Sequence, residues 1–211
     1  MPSIIKKYFP ELGENIFSQI EIAAAAYKEW NEKINVISRK DIDHIFLHHF
    51  LHSMSILKCM QFKPGTKFID AGTGGGFPGV PLAICLPDCE FLLVDSIGKK
   101  LKVAEAVCET AGIKNVRTIH RRVEEVKEQA DFVTGRAVET LKEFYMHVNH
   151  LIPKKQSRPS PGGQEKGIIY LKGGELKEEI KELRRPVKGF SLSQIIPEEY
   201  FETKRLIFIP I

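Results

Sequence analysis

Lys67-Phe-Ile-Asp70-Ala-Gly72-Thr-Gly74-Gly75-Gly76-Phe-Pro-Gly79 is the stretch on which the reading of this chain turns. A short apolar run ends on an acidic residue, and glycines follow at two-residue steps. Residues without a Cβ reach φ > 0 cheaply and let a ligand approach the backbone closely. Amides exposed in such a loop, and at the start of the next helix, can cradle an anionic or polar ligand. The Asp70 carboxylate can accept hydrogen bonds from loop amides or from a ligand ammonium. A strand over 66–70, a glycine loop and a helix start near Pro78 and Pro81 are therefore expected.

Outward from this loop the chain alternates strand and helix. Strands are expected at 66–70, 90–95, 115–119, 131–135, 168–172 and 205–210. Ile97, Leu101, Ala104, Cys108 and Ala111 mark an amphipathic helix between the second and third, with Ser96 as N-cap and Gly112 as the stop. Pro78 and Pro81 suit the opening turn of the first crossover helix, where a missing amide matters little. Such alternation implies an α/β fold, a doubly wound and mainly parallel sheet with helices on both faces. Ligands of these sheets sit outside the carboxyl ends of the strands.

Residues 1–60 read differently. Ile16, Ile20, Ala23, Tyr27, Trp30 and Ile34 recur at helical spacing, and Ser38-Arg-Lys-Asp41 reads as a capping box for a second helix running through Ile42, Phe46, Phe50 and Leu57. An N-terminal helical cap over 1–60, on a main domain over 61–211, is the expected organisation. Residues 153–167, rich in Pro, Gly, Ser and Lys, read as a mobile loop within that domain.

The composition, 43% hydrophobic and 27% charged over 211 residues, is that of a soluble globular protein. No apolar run approaches the roughly 20 residues of a membrane span, and the first residues lack a signal-peptide layout. Cys59, Cys85, Cys89 and Cys108 form no C-x-x-C pair, which favours free thiols in a reducing cytoplasm. The formal charge is +4, and residues 1–60 are balanced at seven basic and seven acidic side chains. The surplus lies in 61–211, in pairs such as Lys99-Lys100, Arg121-Arg122 and Lys204-Arg205, and permits a nucleic-acid partner.

Gly74-x-Gly76-x-x-Gly79 also satisfies the dinucleotide pattern, but Gly74 stands four residues after Asp70, too far from the strand end, and counting from Gly72 puts Phe77 at the third glycine. Asp95 ends the second strand, nineteen residues beyond Gly76, where a carboxylate can take both hydroxyls of a ribose. A charge favouring the start of the following helix is the other reading, and the position at the second strand's tip, after a glycine loop, favours the ribose role. Val123 and Glu124 follow the third strand, where nucleoside folds close over the adenine. His44, His48 and His52 share one helix face, but no Cys or carboxylate supports a metal site there, and none is expected.

The glycine loop resembles the cofactor loop of S-adenosylmethionine-dependent methyltransferases. The chain as a whole resembles the 16S rRNA guanine-N7 methyltransferases, the glucose-inhibited division protein B family. The matching residues are Trp30-Asn31 with Asn35, His49 with Ser53, Asp70-x-Gly-Thr-Gly-Gly-Gly-Phe-Pro-Gly-x-Pro81, Asp95-Ser96-x-Gly98-Lys99-Lys100, Arg136-Ala137 and Leu171-Lys172-Gly173. The resemblance implies a Rossmann-like methyltransferase sheet and transfer of a methyl group from S-adenosylmethionine to N7 of a guanine in 16S rRNA. It implies cofactor contacts from Asp70, Gly72, Thr73, Gly74, Gly76, Phe77, Asp95, Val123, Glu124 and Arg136. Arg136, Lys172 and Lys100 are implied in catalysis or substrate binding, with 16S rRNA or the small subunit as partner and a cytoplasmic monomer as the working form. A binding regulator without turnover, or a small-molecule methyltransferase, are the alternatives. This chain departs from the family at His48-His49-Phe-Leu-His52-Ser53, where Arg-His-x-Leu-Asp-Ser is common, and at Gly135, where Ser is usual.

Overall fold

The period-2 alternation of the strands sorts the protein into two apolar layers. In the computed structural model, which describes residues 3–153 and 161–211, seven strands form one sheet in the order β3-β2-β1-β4-β5-β7-β6. These are β1 (Lys67–Ala71), β2 (Glu90–Asp95), β3 (Val116–His120), β4 (Phe132–Arg136), β5 (Gly167–Gly173), β6 (Lys188–Ser191) and β7 (Lys204–Pro210). The pairs from β3 to β5 are parallel, and β7 runs antiparallel to both its neighbours. Phe68, Phe91, Leu93, Phe132 and Phe208 face one layer, while Ile69, Val94, Val133, Tyr170 and Ile209 face the other. Register aligns Phe68 with Phe91 on one side and Phe132 on the other. Their rings stack at 4.6 and 5.6 Å, and such pairs contribute about 0.5–1.5 kcal/mol each beyond area burial.

The first layer carries α1 (Ser3–Tyr8), α2 (Glu14–Lys33), the short turns α3 (His52–Met54) and α4 (Ile56–Cys59), α5 (Gly79–Cys85) and α6 (Gly98–Thr110). The second carries α7 (Leu141–Val148) and α8 (Lys177–Leu183). The first layer is one continuous apolar cluster, in which Ile20 and Tyr27 of α2 share a core with Phe77 and Val103. Helix α6 ends as its sequence requires. Gly112 (φ +67°) follows it, Ile113 N–H donates to Cys108 O at 2.8 Å, and Gly112 N–H donates to Glu109 O at 3.2 Å. That is a Schellman motif, which satisfies the last carbonyls. A Thr140–Glu143 capping box starts α7.

Four expectations differ from the structure. Ser96 caps nothing: α6 begins at Gly98, and the Asp95 carboxylate instead receives the Ile97 N–H. The Ser38–Asp41 box does not form, because Asp41 turns its side chain to two histidines. The helix expected after it is irregular, with a 3-10 turn at Ile42–His44 and a π-helical turn at Ile45–Leu51 before α3. Strand β6 and helix α8 were absent from the expected elements; β6 is a four-residue edge strand and α8 is mostly charged, so neither has a strong apolar period. Of the loop expected over 153–167, residues 154–160 lie outside the described residues, while Pro161–Gly163 form a 3-10 turn and Gly167 already opens β5.

Candidate active site

Asp70, at the tip of β1, is fully buried and holds the glycine loop in shape. Its Oδ2 accepts from Thr73 Oγ1 and, at 2.8 Å, from Gly79 N–H, while Oδ1 accepts from Thr134 Oγ1 at 3.0 Å. Burial pushes its pKa up to about 6, against these hydrogen bonds. A Cβ at Gly79 would lie 2.3 Å from Leu93 Cδ2 and 2.8 Å from the Asp70 carboxylate, so only glycine brings its amide this close. From the other side Tyr27, on α2, donates its hydroxyl to Gly75 O at 2.7 Å. A Cβ at Gly76 would meet that same hydroxyl at 2.9 Å. Asn31 is likewise engaged with backbone, joining Val36 and Ile37 through three bonds.

Asp95 ends β2 one strand away and faces a cavity of about 550 Å³ at the carboxyl ends of the strands. Gly74 N–H donates to its Oδ2 and Ile97 N–H to its Oδ1, both at 2.8 Å. Two backbone donors thus fix the carboxylate in place, and each oxygen keeps a lone pair for a further donor. Gly72, Gly74, Asp95, Lys100, Val123, Glu124 and Arg136 line this cavity. Asp70, Thr73, Gly76 and Phe77, also expected at the cofactor, are buried within or beside the loop and do not line the cavity. Glu139 and His147 also line it, and His147 Nδ1 sits 3.0 Å from Glu139 Oε1, a bond that raises the His147 pKa.

The opposite wall is built around Arg136, at the end of β4. Its guanidinium lies 5.1 Å above the Phe77 ring and donates to His48 O at 3.2 Å and to His49 Nδ1 at 2.9 Å. An arginine can only donate, so His49 Nδ1 carries no proton. The proton is therefore on Nε2, which donates to Asp41 Oδ2 at 2.7 Å. Burial and the neighbouring Arg136 charge pull the His49 pKa down to about 4, against Asp41, so this imidazole is a neutral link between cation and carboxylate. His48 Nδ1 donates to the other Asp41 oxygen. Against its partial burial, the two histidines hold the Asp41 carboxyl below its ordinary 3.8.

His48 and His52, the two histidines expected to stand in place of an ion pair, do not pair with each other. Tyr200 joins them: its ring stacks on His48 at 4.0 Å, and its hydroxyl lies 3.2 Å from both His48 O and His52 Nδ1. Burial pulls the His52 pKa well below 6.5, consistent with an aromatic contact in place of an ion pair. Among the described residues no group of three His, Cys, Asp or Glu side chains is placed to hold a metal ion.

Lys172, at the end of β5, points elsewhere. Its ammonium donates to Glu179 Oε2 at 2.7 Å and to Glu139 O at 3.0 Å, behind the cavity rim. Beside it the Tyr170 hydroxyl takes the Val138 and Glu139 amides at 2.9 and 3.0 Å, which anchors the turn after Arg136, where Ala137 has φ +50°. Asp41, Tyr170 and Tyr200 were not singled out as site residues. Their roles depend on partners that lie far away in the chain or, for Asp41, on a local pattern that fits a cap equally well.

A family model described as rRNA small subunit methyltransferase G (GidB) matches residues 17–203. The Ribosomal RNA small subunit methyltransferase G of Cytophaga hutchinsonii is 50% identical over 98% of both chains. That of Porphyromonas gingivalis is 49% identical over 99% of this chain and 93% of its own. Among solved structures, a mutant of MtNAS in complex with S-adenosylmethionine aligns at TM-score 0.57 and 14% identity, covering 99% of this chain and 77% of the other. A SAM-dependent methyltransferase from Aquifex aeolicus aligns at TM-score 0.54 and 14% identity over 75% of this chain and 89% of its own. Those two likenesses bear on the fold; the matches along nearly the whole sequence bear on descent, and by them this chain belongs to the rRNA small subunit methyltransferase G family.

Proposed function

We propose that this protein transfers a methyl group from S-adenosylmethionine to N7 of a guanine in 16S rRNA. The residues present fit the donor: the anchored Asp95 carboxylate suits two ribose hydroxyls, and Gly72 and Gly74 leave backbone exposed along the cavity wall. Val123 and Glu124 stand where an adenine would be covered. When bound, the donor supplies a sulfonium-activated methyl group. Guanine N7 carries a free lone pair at neutral pH, so the site needs no general base; it needs alignment and exclusion of water.

The observation that carries this reading is the Arg136 guanidinium, held by His48 O and His49 at the cavity edge. A cation does not stabilise a purine that is becoming positive, but a planar fork suits the guanine O6 edge or a phosphate. Two of its five N–H donors are taken among the described residues, which leaves others for the substrate. Lys100 lines the same cavity, so we assign it to substrate binding, whereas Lys172, tied to Glu139 O and Glu179, acts as a positioning residue for the rim. Residues 1–60 serve as a cap on the methyltransferase domain, and no helix is long and apolar enough to cross a membrane among the described residues. A cytoplasmic monomer acting on the small subunit belongs to the same proposal, which rests on the rRNA substrate.

Incubating the protein with labelled S-adenosylmethionine and unmodified small subunits or naked 16S rRNA tests this directly. Label on a single guanine, released as 7-methylguanine, is the expected result. Donor binding with no transfer to any rRNA form would leave a binding regulator instead.

A further inference from the structure

Beside the Arg136 wall stands a column of rings for which methyl transfer itself has no use. His44 and His48 stack at 4.8 Å with 24° between their planes, and His48 stacks on Tyr200 at 4.0 Å with 12° between them. Lys204 Nζ lies 4.6 Å from the centre of the Tyr200 ring. Its two inner rings, His48 and Tyr200, are anchored by hydrogen bonds. Asp41 holds His48 through Nδ1, and the Tyr200 hydroxyl is tied to His48 O and His52. It is also joined to the active site, because the His48 carbonyl that accepts from Tyr200 accepts from Arg136 as well.

The column ends on an exposed ring. His44 is solvent-exposed, and stacking on His48 accounts for one of its two faces. Arg39 and Lys40, both exposed, precede it by five and four residues. The nearest acidic side chain in sequence, Asp43, lies 3.8 Å from the Lys28 ammonium. An ordered aromatic face flanked by cations, one ring away from a residue bonded to the catalytic arginine, has the chemistry that receives an unpaired base with its phosphates.

We propose that His44 is a stacking platform for an unpaired nucleobase of the rRNA that flanks the target guanine, with Arg39 and Lys40 facing its phosphates. The proposal rests on the rRNA methyltransferase reading above. His48 and Tyr200 act behind His44 as positioning residues that hold its ring at a fixed tilt. A base landing on a ring that is already ordered loses little further freedom, so the contact goes into affinity.

The experiment compares His44→Ala, His44→Phe and His44→Lys on unmodified small subunits, with KM and kcat from labelled methyl transfer and equilibrium binding of the same subunits. Donor affinity, by calorimetry, reports whether each variant folds. A base–aromatic stack predicts that His44→Ala raises KM and the subunit Kd by about tenfold with kcat and donor affinity unchanged. His44→Phe stays within about twofold of the parent protein, and His44→Lys behaves like Ala. Unchanged subunit affinity in His44→Ala would overturn the proposal. Rescue by Lys as good as rescue by Phe would overturn it too, since charge would then be the operative property. If the parent protein transferred no methyl to rRNA, the functional reading would fail on that control, while subunit binding would still read the stack.

Discussion

The two walls of the cavity are held together by different kinds of bond. On the donor side, β1, the glycine loop and β2 lie within thirty residues of one another, and backbone amides of Gly74, Gly79 and Ile97 fix the carboxylates of Asp70 and Asp95. On the Arg136 side, the segment from Asp41 to His49, Arg136 and Tyr200 come from three distant parts of the chain and meet only through side chains, or through one carbonyl. Amide donors persist whatever their side chains are, whereas a line of side chains fails at any link. Damage to the first wall is therefore expected to weaken donor binding, and damage to the second to slow transfer with the donor still bound.

Arg136→Ala gives the sharpest test of that division. It is expected to lower kcat/KM for rRNA on the order of 10²–10³-fold, the scale of one lost preorganised donor, while calorimetric affinity for S-adenosylmethionine changes only a few-fold. An equal fall in both would erase the distinction between the walls.

The second wall also has a pH signature. His49 titrates at about 4 in the folded protein against 6.5 for a free imidazole, so the unfolded chain binds the extra proton between those values. Stability from His49 is complete above pH 6.5 and is lost as pH falls toward 4, by about 3 kcal/mol in total. Asp70 acts in the opposite sense. Its raised pKa, about 6, makes the folded state keep a proton that the unfolded chain releases near 3.8. Denaturant melts of His49→Gln against the parent, from pH 4 to 7, separate the two: the variant should lose less stability on acidification. Parallel curves would mean that His49 is not the neutral link described above.

On the first wall, Asp95→Ala should weaken S-adenosylmethionine binding about 10- to 100-fold, the loss of a carboxylate accepting two hydroxyls. Transfer at saturating donor should fall much less, and a kcat defect as large as that of Arg136→Ala would contradict this. The smallest effect is expected at Gly135, the family's usual Ser. A Cβ there would come within 2.3 Å of the Phe144 ring, which itself stacks on Tyr170 at 4.4 Å. Gly135→Ser should cost about 1–3 kcal/mol through overpacking and lower the Tm by a few degrees. Adding Phe144→Leu should recover most of it.

Much of the wall proposed to hold the donor is legible in the sequence. The step from an apolar run to Asp70 and its glycines, and the second strand ending on Asp95, are local patterns whose geometry follows from backbone sterics. The same locality misled at Ser38-Arg-Lys-Asp41. Ser-x-x-Asp fits a capping box, but two histidines, seven and eight residues beyond Asp41, bind its carboxylate instead. Ser96 failed in a related way, since Asp95 already held the amide that a cap would have satisfied. Lys172 shows the limit of motif transfer: its place in the chain matched, but its ammonium is turned toward Glu179 and Glu139.

By itself the sequence determined the alternating strands and helices, the end of the sheet at which the cavity opens, and, through its family motifs, the kind of donor and substrate. Hydrophobic periodicity and the steric freedom of glycine act over a few residues, so they can be read along the chain. The tertiary structure alone decided which side chains complete the Arg136 wall, that Asp70 shapes the loop without lining the cavity, and that His44, His48 and Tyr200 form one column. Those arrangements depend on hydrogen bonds and ring contacts between residues up to 152 positions apart, and no local pattern records which of many possible partners the packed core will bring together.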